Sequence, residues 1–439
     1  MTIQQYYPNS RPSLNLNFAT STKLDPVVTF SRTTSGTQIN RNGFIESVPA
    51  DTARFDHDPA TLEPKGLVIE EGRTNFCTLS GDNYSFGSTI NINETEVFNP
   101  DGTPAIRRVP NATNNTVHGV DDHAANIDIS EQADGTTTTL STSIFLKNFN
   151  NSNLGVLIGW AAYDGTTYRY RLTTPNTASQ SIGTPGDSNG WSNVSTKVED
   201  YGNGWYRYTF TSTYTKQSGY HTIVHVGEQI YSSTYQQTWT GDGVSGIYIW
   251  GRQREIGPFS TSYIPTNGSE GVRAKDYARI EGDNFSKWFN PTEGTIHMRL
   301  SSLQGPTSGY NRFLMLTPAG QNSQNNSLQF IFSNSQKGTS YALWEGSTIR
   351  RGYNKNITGS SDKENVAFAY KSDGDTNVYI DGNAITNTIT SNGYAQPTFG
   401  RMGIGSYPGG EGTAPKVIIE SLSYYPTRLS NAILQTLTK

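Results

Sequence analysis

The chain has 439 residues, of which 33% are hydrophobic and only 16% charged, with 44 Gly, 25 Tyr and a single Cys. Globular chains usually carry about 25% charged residues, so a coiled coil and a charge-rich disordered tail are both excluded. The net charge of −4 leaves no basic footprint for nucleic acid or an anionic membrane, and the lone Cys77 excludes an intramolecular disulfide and a Cys-based zinc site.

Met1 is followed by Thr-Ile-Gln-Gln-Tyr-Tyr-Pro, with neither a basic start nor an apolar core, so no secretory signal is expected and synthesis in the cytoplasm is. The longest apolar run, residues 154–163, is too short to insert across a membrane. Residues 1–75 carry Pro8, Pro12, Pro26, Pro49, Pro59 and Pro64 between short apolar pieces. Proline removes ladder donors, so this segment reads as an extended arm with short hairpins, one turning at Asn42-Gly43, that packs on a partner or a sister subunit.

From 76 to 270 the period-two signal is strong. Tyr206, Tyr208 and Phe210 share one face of residues 205–213, with Arg207, Thr209 and Thr211 on the other. Similar runs at 140–146, 154–163, 167–172, 222–226 and 246–250 are separated by turn clusters such as Asp164-Gly165, Asn189-Gly190 and Asn203-Gly204. This spacing predicts a β-sandwich of the jelly-roll kind. Pro265-Thr-Asn-Gly-Ser reads as a linker. Residues 271–439 then supply a second set of strands: Ile296, Met298 and Leu300 fall on one face, Asp381-Gly382-Asn383 turns a hairpin, and 417–425 closes the set. A terminal helix is expected after Ser430 as N-cap, with Leu429 and Leu434 spaced as a hydrophobic staple. The predicted fold class is therefore all-β: an N-terminal arm, two sandwiches and one short C-terminal helix.

Catalytic patterns are sparse. His221 and His225 are four apart in a strand-like stretch, which puts them on one face about 13 Å apart. Asp121-Asp122 beside His118 and His123 is the best metal-like cluster, but it lacks the spaced acids of a calcium hand. Glu70 and Glu71 are adjacent and would point to opposite faces, so Glu71-Gly72-Arg73 reads as a fixed turn with a charge-assisted hydrogen bond. There is no Gly-x-Ser-x-Gly elbow and no phosphate-cradling loop. The expectation is a protein that is not an enzyme and has no cofactor.

Glycan binding asks for exposed aromatic rings flanked by amides and carboxylates. Trp160, Trp205 and Trp250 sit inside strand patterns and read as core. Trp191, between Gly190 and Ser192, is the first candidate for exposure, followed by Tyr163 beside Asp164-Gly165 and Trp239 in Gln-Thr-Trp-Thr-Gly. Trp344, next to Glu345-Gly346, and Tyr407 in Gly-Ser-Tyr-Pro-Gly-Gly complete the candidate set.

Three stretches carry a resemblance. Residues 53–59, Ala-Arg-Phe-Asp-His-Asp-Pro, and 66–75, Gly-Leu-Val-Ile-Glu-Glu-Gly-Arg-Thr-Asn, form the first. Residues 251–266, Gly-Arg-Gln-Arg-Glu-Ile-Gly-Pro-Phe-Ser-Thr-Ser-Tyr-Ile-Pro-Thr, form the second, and 423–438, beginning Ser-Tyr-Tyr-Pro-Thr-Arg-Leu-Ser, the third. Together they resemble bacteriophage tail-fibre and head-fibre structural proteins. In that family the second stretch looks like the end of a carbohydrate-binding-module-like domain, and the third like the close of a laminin-G or concanavalin-like domain. The resemblance implies a virion-attachment or oligomerisation arm over 1–75, a carbohydrate-binding-module-like jelly roll over 76–270 and a concanavalin-like sandwich over 271–439. It further implies a virion-surface protein that touches other virion proteins through the arm and binds host-surface glycans without cleaving them. A structural calcium in the jelly roll is part of the same analogy, at no position the sequence places. Fibres commonly use cyclic symmetry, so a homotrimer is the expected assembly. The alternatives are a purely architectural capsid decoration and a polysaccharide depolymerase.

Overall fold

The computed structural model describes residues 11–81, 85–113, 115–121, 126–150, 153–183, 190–232, 238–305, 310–321, 324–333, 338–356, 363–390, 397–405 and 415–439. Among these the chain is β throughout, apart from the short helices Asp283–Ser286 and Asn431–Leu437. Four large antiparallel sheets stack into two sandwiches, as an all-β chain with two apolar strand faces requires.

One sandwich, here the insert, is built from residues 85–256. Its first sheet runs Trp191–Asp200, Trp205–Thr215, Thr137–Phe149, Gly246–Ile256, Pro104–Pro110, Thr89–Phe98. The facing sheet is centred on Gly155–Tyr163 and Thr222–Tyr231, with Tyr168–Thr173 paired to the former. Its core holds Ile144, Leu146, Ile158, Trp160, Tyr208 and Phe210. The expected polar face of Trp205–Thr215 is no solvent face: Arg207 and Thr211 are also buried, because the remainder of the chain lies against that side.

The other sandwich, the frame, combines both ends of the chain. Its first sheet places Glu293–Gln304 beside Lys416–Tyr425, whose other edge is shared by Leu14–Asn17 and Pro64–Ile69. Arg54–His57 then adds to Pro64–Ile69, while Thr29–Ser31 joins the opposite sheet next to Tyr277–Glu281. The described part of the expected arm thus pairs with strands of its own chain. Leu14, Leu16, Phe55, Leu67 and Ile69 make half of an apolar face that only another sheet can cover, and the C-terminal strands supply that sheet. Proline is accommodated where no ladder donor is needed, as at Pro64, the first residue of its strand. Gly66 permits the approach to Lys416–Tyr425, since a Cβ there would lie 2.1 Å from the Ile419 carbonyl oxygen.

Local signals are well kept. Gly36–Ile39 pairs with Ile45–Val48 across Asn42-Gly43. The Asp381-Gly382 hairpin has positive φ at both turn residues, as a tight two-residue turn demands. At the terminal helix, the Ser430 hydroxyl accepts a hydrogen bond from the Ile433 amide, while Leu429 and Leu434 share a buried cluster with Ala367 and Ala369.

The chain leaves the frame after Ile69 and re-enters it at Asp276, crossing through a two-stranded ladder of Arg73–Asn75 with Gly271–Arg273. The segment read as a linker is pinned there, with the Gly268 amide on Thr78 O and the Thr266 amide on the Ser80 hydroxyl. Under the ladder lies a fully buried ion-pair network. Glu70 accepts from Arg54 at 2.9 Å and from Arg273 at 2.7 Å, and Lys416 stands 3.6 Å away. Asp276 pairs with Arg54 and with Arg32 at 3.0 Å, and its carboxylate also receives the Glu70 amide. Burial alone would raise the Glu70 pKa, but the cations of Arg273, Arg54 and Lys416 hold it well below the usual carboxylate range. Glu71 points the other way, to Arg73, as the turn reading expects.

Candidate glycan-binding surface

The hairpin Gly155–Tyr163 and Tyr168–Thr173 turns at residues 164–167, where Asp164 Oδ1 accepts from the amides of Thr166 at 2.8 Å and Thr167 at 2.6 Å. Those amides, Thr167 first, draw the Asp164 carboxyl below its ordinary pKa. Strand alternation then sorts the side chains. Val156, Ile158, Trp160 and Ala162 enter the insert core, so Tyr163 is carried to the opposite face. Tyr168 stands directly across from Tyr163, and Tyr170 across from Ala161, which puts all three tyrosines on that face.

Their rings form a ladder. Tyr163 and Tyr168 stack with centroids 4.3 Å apart and planes at 18°, and Tyr168 and Tyr170 follow at 5.8 Å and 24°. The Tyr163 hydroxyl donates to Gly165 O at 2.6 Å, fixing its ring at the turn. Tyr168 is 44% and Tyr170 45% exposed, the only tyrosines among the large apolar side chains left that open in the described residues. His221 stands at the Tyr163 end, ring centroids 6.5 Å apart.

Trp191 corrects the sequence expectation. It begins the strand Trp191–Asp200 and is 7% exposed, packed on Tyr214 with ring centroids 4.9 Å apart. Its indole N–H donates to the Arg169 carbonyl at 2.9 Å. Arg169 lies between Tyr168 and Tyr170, so Trp191 holds the ladder strand from behind instead of presenting a face to a ligand. The Arg169 guanidinium adds to this by stacking on Tyr220, 4.6 Å from its centroid, and donating to the Tyr220 hydroxyl at 2.7 Å.

Of the remaining candidates, Trp239 is half-buried: its N–H is spent on Ile230 O at 3.0 Å and its ring meets His118 edge-on at 5.1 Å. Trp344 is half-buried in Gly338–Glu345 of the frame, in the other sandwich from the ladder. Tyr407 lies outside the described residues, as do Asp122, His123 and Asn189. Of the candidates, then, only Tyr163 belongs to the ladder. Its partners Tyr168 and Tyr170 carry a legible signal, a Tyr-x-Tyr repeat just past an Asp-Gly turn that follows a tyrosine.

The imidazole nitrogens of His118 face Ser88 O and Trp239 O, and His225 Nε2 lies 3.3 Å from Asp121. Among the described residues no three His, Cys, Asp or Glu side chains gather into a metal site. Cys77 is buried.

No protein-family model matches the chain, and no curated protein does. Similarity to solved structures is local. The Ruminococcus gnavus IT-sialidase CBM40 is 15% identical over 34% of this chain and 84% of its own, with a TM-score of 0.28. The NanB sialidase from Streptococcus pneumoniae is 13% identical over 37% of this chain and 26% of its own, TM-score 0.30. The receptor binding domain of botulinum neurotoxin mosaic serotype C/D is 12% identical over 37% and 39%, TM-score 0.28. Values this low carry no argument about what the present chain binds.

Proposed function

We propose that this chain is a glycan-binding subunit of a virion fibre or adhesin, that the tyrosine ladder of the insert is its contact surface, and that it binds host-surface saccharides without cleaving them. The observation that carries the reading is the ladder: half-exposed, mutually stacked rings on a rigid hairpin. Sugar C–H groups stack on aromatic surface, and tyrosine hydroxyls at the ring edges supply hydrogen bonds. Because Trp191, Tyr163 and the Asp164 turn already fix the hairpin, little ordering entropy is lost on binding. The virion setting, the contacts with other virion proteins and the trimeric assembly rest on the resemblance of the three stretches to fibre proteins.

A glycan array probed with the purified chain tests the binding. Retained saccharides that are lost with Tyr168→Ala support it, and an array without binding leaves the architectural role. Release of reducing ends from host polysaccharide would replace the non-cleaving reading with a depolymerase. Light scattering of the purified chain tests the trimer.

A further inference from the structure

We propose that the cleft between the two sandwiches is a second saccharide site, distinct from the tyrosine ladder, that takes a neutral, hydroxyl-rich chain. The cleft has a volume of about 610 Å³, within the range of small-molecule sites. Two sheet-edge strands bound it: Trp191–Asp200 of the insert, continuing to Tyr201, and Arg54–His57 of the frame. The turn between Asp58 and Lys65, the strands Glu293–Gln304 and Lys416–Tyr425, and Lys363 add to the frame wall.

The chemistry of the walls selects the ligand. Four lysines and six carboxylates line the space. Lys65 pairs with Asp58 at 2.8 Å, and Lys197 with Glu199 at 3.0 Å. Donors and acceptors are interleaved, and the carboxylates outnumber the lysines by two, so an anionic ligand gains no favourable field. A hydroxyl both donates and accepts, so a saccharide can satisfy both kinds of wall group at once.

A second observation points the same way. The cleft leads into a chamber of about 30 Å³ that shares Asp56, Tyr201 and Lys416 with it and is also lined by Arg207. Arg207 is 2% exposed, and its Nη2 donates to the Ser143 hydroxyl and the Thr261 carbonyl at 2.9 Å, which holds the guanidinium in the chamber wall. A chamber of this size admits one hydroxyl-sized group. Tyr201 and Arg207 come from the insert, Asp56 and Lys416 from the frame, so the site exists only where the two sandwiches meet.

Titration calorimetry of the full chain with maltotetraose, cellotetraose and the tetramer of N-acetylglucosamine, against tetragalacturonate, tests this. Lys197→Ala removes an exposed wall cation and Ser302→Trp fills the cleft; unchanged melting points establish that each folds, and Lys197→Ala alone carries the test if Ser302→Trp does not. The expected result is that a neutral tetrasaccharide binds and that the cleft variants weaken it at least about tenfold. The proposal is overturned if no neutral tetrasaccharide binds, if the folded cleft variants bind like the parent, or if tetragalacturonate binds as tightly. Binding abolished by Tyr168→Ala but untouched by the cleft variants would overturn the cleft and leave the ladder standing.

Discussion

Replacing Glu70 by Gln keeps the shape of the buried network and removes one of its two anions. Arg54 at 2.9 Å and Arg273 at 2.7 Å then lose their shared counter-charge in a site with side-chain exposure of 0–1%. Breaking a buried pair from one side costs about 3–5 kcal/mol, because the stranded charge cannot reach water. The frame uses about half of the chain, and for domains of that size each kcal/mol lowers the melting point by about 2–4 °C, so a fall of roughly 10 °C is expected. Glu71→Gln is the control: its pair with Arg73 is partly solvated, with 16% of the Glu71 side chain exposed, and should cost no more than about 1 kcal/mol. Calorimetric unfolding of both variants, with hydrogen exchange at residues 271–273, gives the comparison. The folded-state pKa of Glu70 lies below its unfolded value. Its stabilisation is therefore present above the unfolded pKa near 4.5 and lost as pH falls through the folded one, and Glu70→Gln removes that part of the acid dependence. If Glu70→Gln melts no lower than Glu71→Gln, the network does not hold the seam.

Three further outcomes follow from the packing. Burial depresses the pKa of His297 to about 4, with its Nε2 2.7 Å from Asn365 Oδ1. The neutral ring then contributes stability that is complete above about 6.5 and fades as pH falls toward 4, about 3 kcal/mol in all; His297→Gln should flatten urea midpoints across that window. Gly66→Ala, at φ 111° and against the Ile419 carbonyl, should cost more than about 1 kcal/mol and raise exchange at residues 417–419, whereas an unchanged melting point would contradict the close approach. Leu434→Ala, fully buried in the terminal cluster, should cost about 2–5 kcal/mol by thermal unfolding.

What could be read from the sequence is what depends on near neighbours. Strand periods, the Asp381-Gly382 and Asn42-Gly43 turns and the Ser430 cap are set by a few adjacent residues, and all are found in place. The pairing of Leu14–Asn17 and Pro64–Ile69 with Lys416–Tyr425 could not be read, because proline spacing tells only that a strand is short, not which distant edge receives it. Two of the three fibre-like stretches meet at the buried ion-pair network: Arg54 and Glu70 come from the first, and the Ser262 amide of the second donates to Glu70, while Arg254 of the second pairs with Glu228 inside the insert. The site was partly legible for the same reason. A tryptophan between polar neighbours in sequence, Trp191, is buried once its strand pairs, while Tyr163, Tyr168 and Tyr170 become a surface only through cross-strand register.

The central claim, that the ladder contacts saccharide, is tested most directly by measuring the dissociation constant of an array-identified glycan for the parent chain, Tyr168→Ala and Tyr170→Ala. Each deletion removes one half-exposed ring, with stacking worth about 0.5–1.5 kcal/mol beyond its contact area. The account predicts roughly tenfold weaker binding for each variant at an unchanged melting point. Equal affinity in all three proteins would contradict it.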